Sequence, residues 1–169
     1  MALFTWIALP ATTTTALLFL VAATVLGARL WRWEGIRTWR EPLVLVLHLG
    51  YAFVSLGFLL GALAILLPQS LAGTAALHVW TVGAIGLMTL GVMTRATRGH
   101  TGRALTASPM TVAIYAAMIA AAILRIAAGL FPQGYMVMLE AAGLAWIGAF
   151  ALFLFEYAPM LRGPGTKRS

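Results

Sequence analysis

The chain has no cysteine and very few charged residues, and each shortage excludes a class of protein. Its 169 residues contain no cysteine, so disulfides, thiolate metal sites and cysteine catalysis are all excluded. Only 9% of the residues are charged, whereas soluble domains carry about 25%. Hydrophobic residues make up 62% of the chain, and the mean hydropathy is +0.97. The composition therefore indicates an integral membrane protein.

Familiar catalytic motifs are missing as well. The sequence contains no HExxH motif, no GxxxxGK[ST] phosphate loop, no serine–histidine–carboxylate set and no paired acidic general acid and base. This argues against a hydrolase, and enzymatic turnover of any kind is left open. The N-terminal segment MALFTWIALP has no basic region before its apolar run and is a poor match to a signal peptide.

Five apolar runs are long enough to cross a bilayer, which takes about 20 helical residues. We predict an all-α, polytopic bundle that forms a single membrane domain over residues 1–169, with spans at about 8–28, 42–67, 74–93, 109–131 and 135–157. Pro42 and Pro109 stand at the first positions of two spans, where a missing backbone N–H costs nothing.

Basic residues fall on one side of the predicted spans. The segments 29–41 and 94–108 and the C-terminal tail hold Arg29, Arg32, Arg37, Arg40, Arg95, Arg98, Arg103, Arg162, Lys167 and Arg168. The turns at 68–73 and 132–134 and the N-terminus hold no lysine or arginine. The asymmetry predicts an outside N-terminus, an inside C-terminus and basic inner loops at 29–41 and 94–108. The net charge of +7 thus indicates membrane orientation and not a nucleic-acid partner.

Four ionisable side chains lie well inside the spans, and such residues are costly in lipid and mostly functional. At a rise of 1.5 Å per residue, His78, Arg125 and Glu140 share a layer about 6–9 Å below the outer boundary. Arg125 and Glu140 lie on neighbouring spans, so we expect them to form an ion pair. The alternative is that Arg125 binds a haem propionate or another anion.

His48 lies nearer the inner end, about 15 Å from His78 in depth, so the two imidazoles are not expected to bind one iron. Each is a candidate ligand or proton carrier, and the plain alternative is a hydrogen bond between helices. His48, Tyr51 and Ser55 form a polar stripe on span 2. Glycines 50, 57 and 61 form a second stripe, which predicts close helix packing.

The segment 94–108 combines arginines with glycines. Arg95, Arg98, His100 and Arg103 are typical of a surface that binds lipid phosphates. The spacing RGHTGR also indicates a specific turn, with an anion cradle as one interpretation.

Three stretches together resemble one protein family. Residues 78–103, HVWTVGAIGLMTLGVMTRATRGHTGR, resemble the signature region of the NnrS family. Residues 41–64 are similar to the preceding family helix, with its HxGY element at His48, Gly50 and Tyr51. Residues 154–165, LFEYAPMLRGPG, are similar to the family's YxPxL ending. The usual family chain is over twice as long, so the resemblance is to its C-terminal part only.

The resemblance implies a bacterial inner-membrane protein that binds haem, and possibly copper, in nitric oxide response or denitrification. It matches His48, His78 and His100 to the family's histidines; we take His78 first and His48 second as metal ligands, with Tyr51 and Arg125 supporting the cofactor. Ferrous haem binds nitric oxide, and axial and neighbouring residues tune the iron. Three alternatives stay open: a haem-containing electron-transfer subunit, a non-catalytic half that docks with a separate N-terminal partner or a second copy, and a small transporter.

Overall fold

The structure is a computed structural model that describes residues 1–69 and 73–163. Its described part consists of helices joined by short turns and contains no strand. The α-helices are α1 Ala2–Ala8, α2 Thr13–Arg32, α3 Pro42–Leu66, α4 Gly73–His78, α5 Leu87–His100, α6 Pro109–Leu130 and α7 Tyr135–Arg162. Lys167 and Arg168 of the predicted basic tail lie outside the described residues.

Five of the helical segments are long and apolar enough to cross a membrane, as the sequence predicts. They are Thr13–Arg32, Pro42–Leu66, Gly73–His100, Pro109–Leu130 and Pro132–Arg162. The third span joins α4 and α5 through a π-helix at Val79–Gly86, so it runs without a break for 28 residues. The connections between spans alternate between two ends of the bundle. The end that holds segments 29–41 and 101–108 and the last turn of α7 is called the basic end below.

Several boundaries differ from the predicted ones, and two of the differences have clear local causes. The first span begins at Thr13 because the Thr12 side chain accepts a hydrogen bond from the Thr15 backbone N–H and caps the helix. The third span continues to His100, so Arg95, Arg98 and His100 are helical. Gly102, with φ of 72°, then reverses the chain while the backbone N–H of Arg103 donates to the Arg98 carbonyl. This is a Schellman motif, and it accounts for Gly102, the second glycine of RGHTGR, without a bound anion.

The helices pack in sequence order, α2 against α3, α3 against the third span, that span against α6, and α6 against α7. A cluster of four aromatic rings, formed by Trp6, Phe19, Phe58 and Trp80, joins α1, α2, α3 and the π-helix. A second core forms around Leu87, Leu90, Ile114, Met118 and Tyr157.

The predicted glycine stripe of α3 lies in these contacts. Gly50, Gly57 and Gly61 are all buried, and a Cβ at Gly57 would overlap the Trp80 indole. The Trp80 Nε1–H donates to the Val54 carbonyl across the same interface at 3.1 Å. Close approach of α3 and the third span therefore depends on a residue without a side chain at position 57.

Candidate functional site

The larger of two described cavities lies at the basic end, between α2, α3 and the turn that joins them. Its volume is about 870 Å³, within the size range of small-molecule sites. Its lining is mostly apolar, with His48 on α3, Arg32 at the end of α2 and Arg37 in the 3-10 turn Gly35–Thr38. The apolar part includes Leu30, Trp31, Leu45, Leu49 and Ala52. This space is called the His48 cavity below.

His48 is held on two sides and keeps one ring nitrogen free. Its Nδ1 lies 3.1 Å from the Val44 carbonyl one turn earlier, and a carbonyl only accepts, so Nδ1 carries the proton of the neutral ring. The other nitrogen, Nε2, is then an unprotonated acceptor. A metal-binding histidine normally shows this arrangement, with the second N–H given to a carbonyl or carboxylate.

Close packing fixes the ring plane of His48. The Trp33 ring stands edge-on to it, with centroids 6.1 Å apart and planes at 87°. A Cβ added at Gly35 would lie 2.7 Å from the Cδ2 atom of His48, which is closer than real contacts allow. Gly35 therefore lets the turn approach the imidazole.

Tyr51, one turn after His48 on α3, also packs against Trp33, with ring centroids 4.8 Å apart. Its hydroxyl oxygen is buried and has no hydrogen-bond partner within the described part of the chain. Buried polar atoms without a partner are uncommon in proteins and call for an explanation such as a missing ligand or water. Ser55, the third member of the predicted polar stripe, donates to the Ala23 carbonyl at 2.8 Å and so joins α3 to α2.

Arginines surround the mouth of the His48 cavity. Arg37 forms an exposed ion pair with Glu34 at 2.7 Å, and Arg29 lies over the Trp33 ring at 4.9 Å. Arg32 lines the cavity and has no ion-pair or hydrogen-bond partner among the described residues. The cavity thus joins an apolar interior to a positively charged rim.

His78 occupies a different place, at the junction of α4 and the π-helix. Its Nδ1 lies 3.4 Å from the Thr81 hydroxyl, and Arg125 on α6 is near enough for its charge to act on the ring. Neither of the two described cavities is lined by His78. His48 and His78 have no neighbour in common among these contacts, and whether they share a metal stays a prediction.

Arg125 and Glu140 are not joined by an ion pair in the described part of the chain, where the ion pairs are Glu34–Arg37 and Arg98–Glu156. Glu140 lies on the exposed face of α7, beside Leu144 and Ile147. Residues at equal depth on neighbouring helices meet only when both helices are rotated toward each other, and α7 turns Glu140 away.

A buried polar cluster near the basic end, which the sequence pattern did not predict, holds the buried ion pair instead. The Arg98 guanidinium donates to Glu156 Oε1 at 3.2 Å and to the Tyr157 hydroxyl at 3.2 Å. Ser108 and Thr111 donate to the same carboxylate, at 2.5 Å and 3.1 Å. Arg98 is 8% exposed, so it faces the bundle interior and not lipid phosphates. Glu156 at the basic end of its span was the available signal, since Arg98 lies at the same depth.

His100 and Arg95 line the second cavity, a groove of about 340 Å³ at the end of α5. Arg103 is partly buried, and its Nη1 has no partner among the described residues. No group of three or more histidine and carboxylate side chains gathers in the described part of the chain. His48, His78 and His100 therefore do not form one metal centre within it, and copper stays an expectation of the resemblance.

Comparison with known proteins gives one match. A sequence model of a protein family, described as NnrS protein, matches residues 1–164. No curated protein and no solved structure matches the chain.

Proposed function

The chain belongs to the NnrS family, and from this premise we propose that it is a haem-binding membrane protein of the nitric oxide response, with haem held in the His48 cavity. A bacterial inner membrane is the proposed location. The membrane assignment itself follows from the family and the five apolar spans.

The state of His48 is the observation that carries this proposal. Because Nδ1 contacts the Val44 carbonyl and carries the proton, Nε2 keeps a lone pair that can bind a metal. Gly35 and Trp33 hold the ring plane, so the nitrogen is oriented before a metal arrives. A pre-oriented ligand binds more tightly because no ordering cost remains at binding.

The cavity lining suits the rest of a haem. Apolar residues such as Leu45 and Leu49 match the flat macrocycle, while Arg32 and Arg37 at the rim match its two carboxylates. Glu34 already neutralises Arg37 in part, so Arg32 is the stronger candidate for a propionate.

When bound, ferrous haem would supply tight binding of nitric oxide, a small apolar gas that dissolves in hydrocarbon. The chain's own residues orient the imidazole, keep the cavity apolar and offer a hydroxyl donor at Tyr51. Tyr51 does not line the cavity itself, but its ring packs on Trp33 and its hydroxyl has no partner among the described residues, so it would donate to a bound group or water beside the site.

This order of ligands differs from the sequence-based expectation, which placed His78 first. The positive charge of Arg125 acts on His78 and opposes the binding of a cation there, and His78 lines neither described cavity. Arg125 remains a candidate partner for an anion there, separate from the proposed haem.

The test is the optical spectrum of the detergent-purified chain after haem reconstitution. We expect a Soret band that falls at least about tenfold in His48→Ala and persists in the matched variants His78→Ala and His100→Ala. A Soret band that persists in His48→Ala but is lost in His78→Ala would refute the assignment. Addition of nitric oxide to the reduced protein should shift the band. If a quinol reduces the haem but nitric oxide does not shift the Soret band, the result would indicate the electron-transfer alternative.

A further inference from the structure

The second cavity is a narrow groove on the outside of the bundle at the basic end, called the basic groove below. Its apolar part is formed by Leu47 of α3, Val92 of α5 and Leu105 of the α5–α6 connection. Its polar part, at the last turn of α5, is formed by Arg95, Gly99 and His100. Along α5 the lining therefore changes from the apolar Val92 to the basic Arg95 and His100, with Leu105 beside Gly99.

No carboxylate of the described residues neutralises the basic part of this groove. Arg98 is paired with Glu156, and Arg37 is paired with Glu34. Arg95 and His100 have no hydrogen-bond or ion-pair partner within residues 1–69 and 73–163, and no carboxylate lines the groove. An anion bound here would meet positive charge and no competing acceptor.

The two parts of the groove fit one class of ligand. The basic part lies near the end of α5, which ends the third apolar span, while Leu47 and Val92 belong to the second and third apolar spans. The end of a membrane-spanning helix is where lipid headgroups are expected. A ligand that fills both has a negative head and a hydrocarbon chain. We propose that the basic groove is a binding site for an anionic phospholipid, with the phosphate at Arg95 and His100 and an acyl chain along Leu47 and Val92.

Gly99 keeps the groove open at the position of the proposed phosphate. A Cβ there would have a single neighbour within 4 Å, the Leu105 Cδ2 atom at 4.0 Å. The glycine is therefore not required by close packing, unlike Gly57. A larger side chain at position 99 would occupy the groove without disturbing the helix, and it would gain helix propensity.

The experiment is native mass spectrometry of the full chain titrated with phosphatidylglycerol, phosphatidylcholine or inorganic phosphate. We expect phosphatidylglycerol to bind in preference to phosphatidylcholine. Since one basic residue near an anionic headgroup contributes roughly fivefold to affinity, Arg95→Ala should weaken binding about fivefold. Gly99→Leu should abolish the preference for phosphatidylglycerol while thermal stability is kept or raised. Arg40→Ala, which removes an exposed charge stacked on Trp39 at the same end, is the matched control and should bind normally.

Three results would overturn the proposal. Equal binding of phosphatidylcholine would show that charge does not select the ligand. Equal weakening by Arg40→Ala would show a general surface effect and no site. If millimolar inorganic phosphate displaces the lipid and Gly99→Leu binds lipid as well as the wild type, the groove is a phosphate site that does not use its apolar part. None of these results depends on haem.

Discussion

Two kinds of glycine occur in this chain at the scale of single residues. Gly35 and Gly57 lie against ring systems, the His48 imidazole and the Trp80 indole, and neither position has room for a Cβ. Gly143 and Gly148 on α7 have no atom within 4 Å of an added Cβ. The sequence predicts that glycines on α3 pack closely, but it cannot name the ring that each one meets, because that depends on the rotation of a distant helix.

The first prediction concerns Gly35 and rests on the proposed haem site. In Gly35→Ala the new methyl group displaces the His48 ring, which loses its contact with the Val44 carbonyl. Haem affinity should fall about tenfold, the usual effect of disturbing the groups that orient a metal ligand. The Soret absorbance per protein measures this. Gly148→Ala is the control, and equal haem loading in both variants would contradict the role of Gly35.

The second prediction concerns Gly57 and does not depend on any ligand. Gly57→Ala overlaps the Trp80 indole and breaks or strains its bond to the Val54 carbonyl, so the folded state should lose about 1–3 kcal/mol. Apparent melting temperatures in one detergent, at one scan rate, measure the effect. Gly143→Ala should leave the melting temperature unchanged or raise it. A Gly57→Ala protein as stable as the wild type would show that the α3 interface adapts.

At the scale of elements, the polar cluster of Arg98, Ser108, Thr111, Glu156 and Tyr157 joins three helices. Arg98 belongs to α5, Thr111 to α6, and Glu156 and Tyr157 to α7. The carboxylate and guanidinium side chains are 12% and 10% exposed, so water shields them little. The C-terminal part of α7 is thereby tied to the start of α6, next to the connection that carries Leu105.

The third prediction concerns this cluster. Glu156→Gln leaves the Arg98 charge buried without a counter-charge, which costs about 3–5 kcal/mol. Unfolding in a graded series of sodium dodecyl sulfate, followed by circular dichroism, measures the loss. The double variant Arg98→Met/Glu156→Gln removes both charges and should recover at least half of it. Glu140→Gln, at an exposed position on the same helix, should have little effect.

Depth along a helix is readable from sequence, and rotation about its axis is not. Counting residues gives five spans, their connections and the layer that contains His78, Arg125 and Glu140. The same count puts Arg98 and Glu156 together at the basic end. Whether Arg125 can reach Glu140 is decided by the faces of α6 and α7 that meet, and the buried Met118 and Phe153 of the shared core lie on those faces. Apolar periodicity is weak where every face is hydrophobic, so the sequence carries little signal for rotation.

At the scale of the whole molecule, the described arginines other than Arg125 collect at one end. The described part of the chain has arginine in the α2–α3 and α5–α6 connections and at the end of α7, while Pro132–Gly134 and the described part of the α3–α4 connection have no basic residue. The His48 cavity and the basic groove both open at the basic end. If the positive-inside rule holds, both sites face the cytoplasmic half of the membrane.

The fourth prediction tests this orientation. Because the chain has no cysteine, single cysteines at exposed positions report their side of the membrane without background. Gln133→Cys should react with a membrane-impermeant maleimide in intact cells, and Thr106→Cys should react only after lysis. The reverse pattern would place the arginines outside and contradict the charge rule for this chain.

The aromatic cluster of Trp6, Phe19, Phe58 and Trp80 has a practical consequence. Two indoles, with centroids 5.8 Å apart at an interplanar angle of 66°, are held rigidly in a chiral setting, and this produces coupled electronic transitions. The coupled contribution of the Trp6–Trp80 pair to the near-ultraviolet dichroism should vanish when the seven-residue α1 separates from the bundle, while the other packed rings keep their contributions. The protein thus contains its own optical reporter of whether its N-terminal helix is docked, without any added dye.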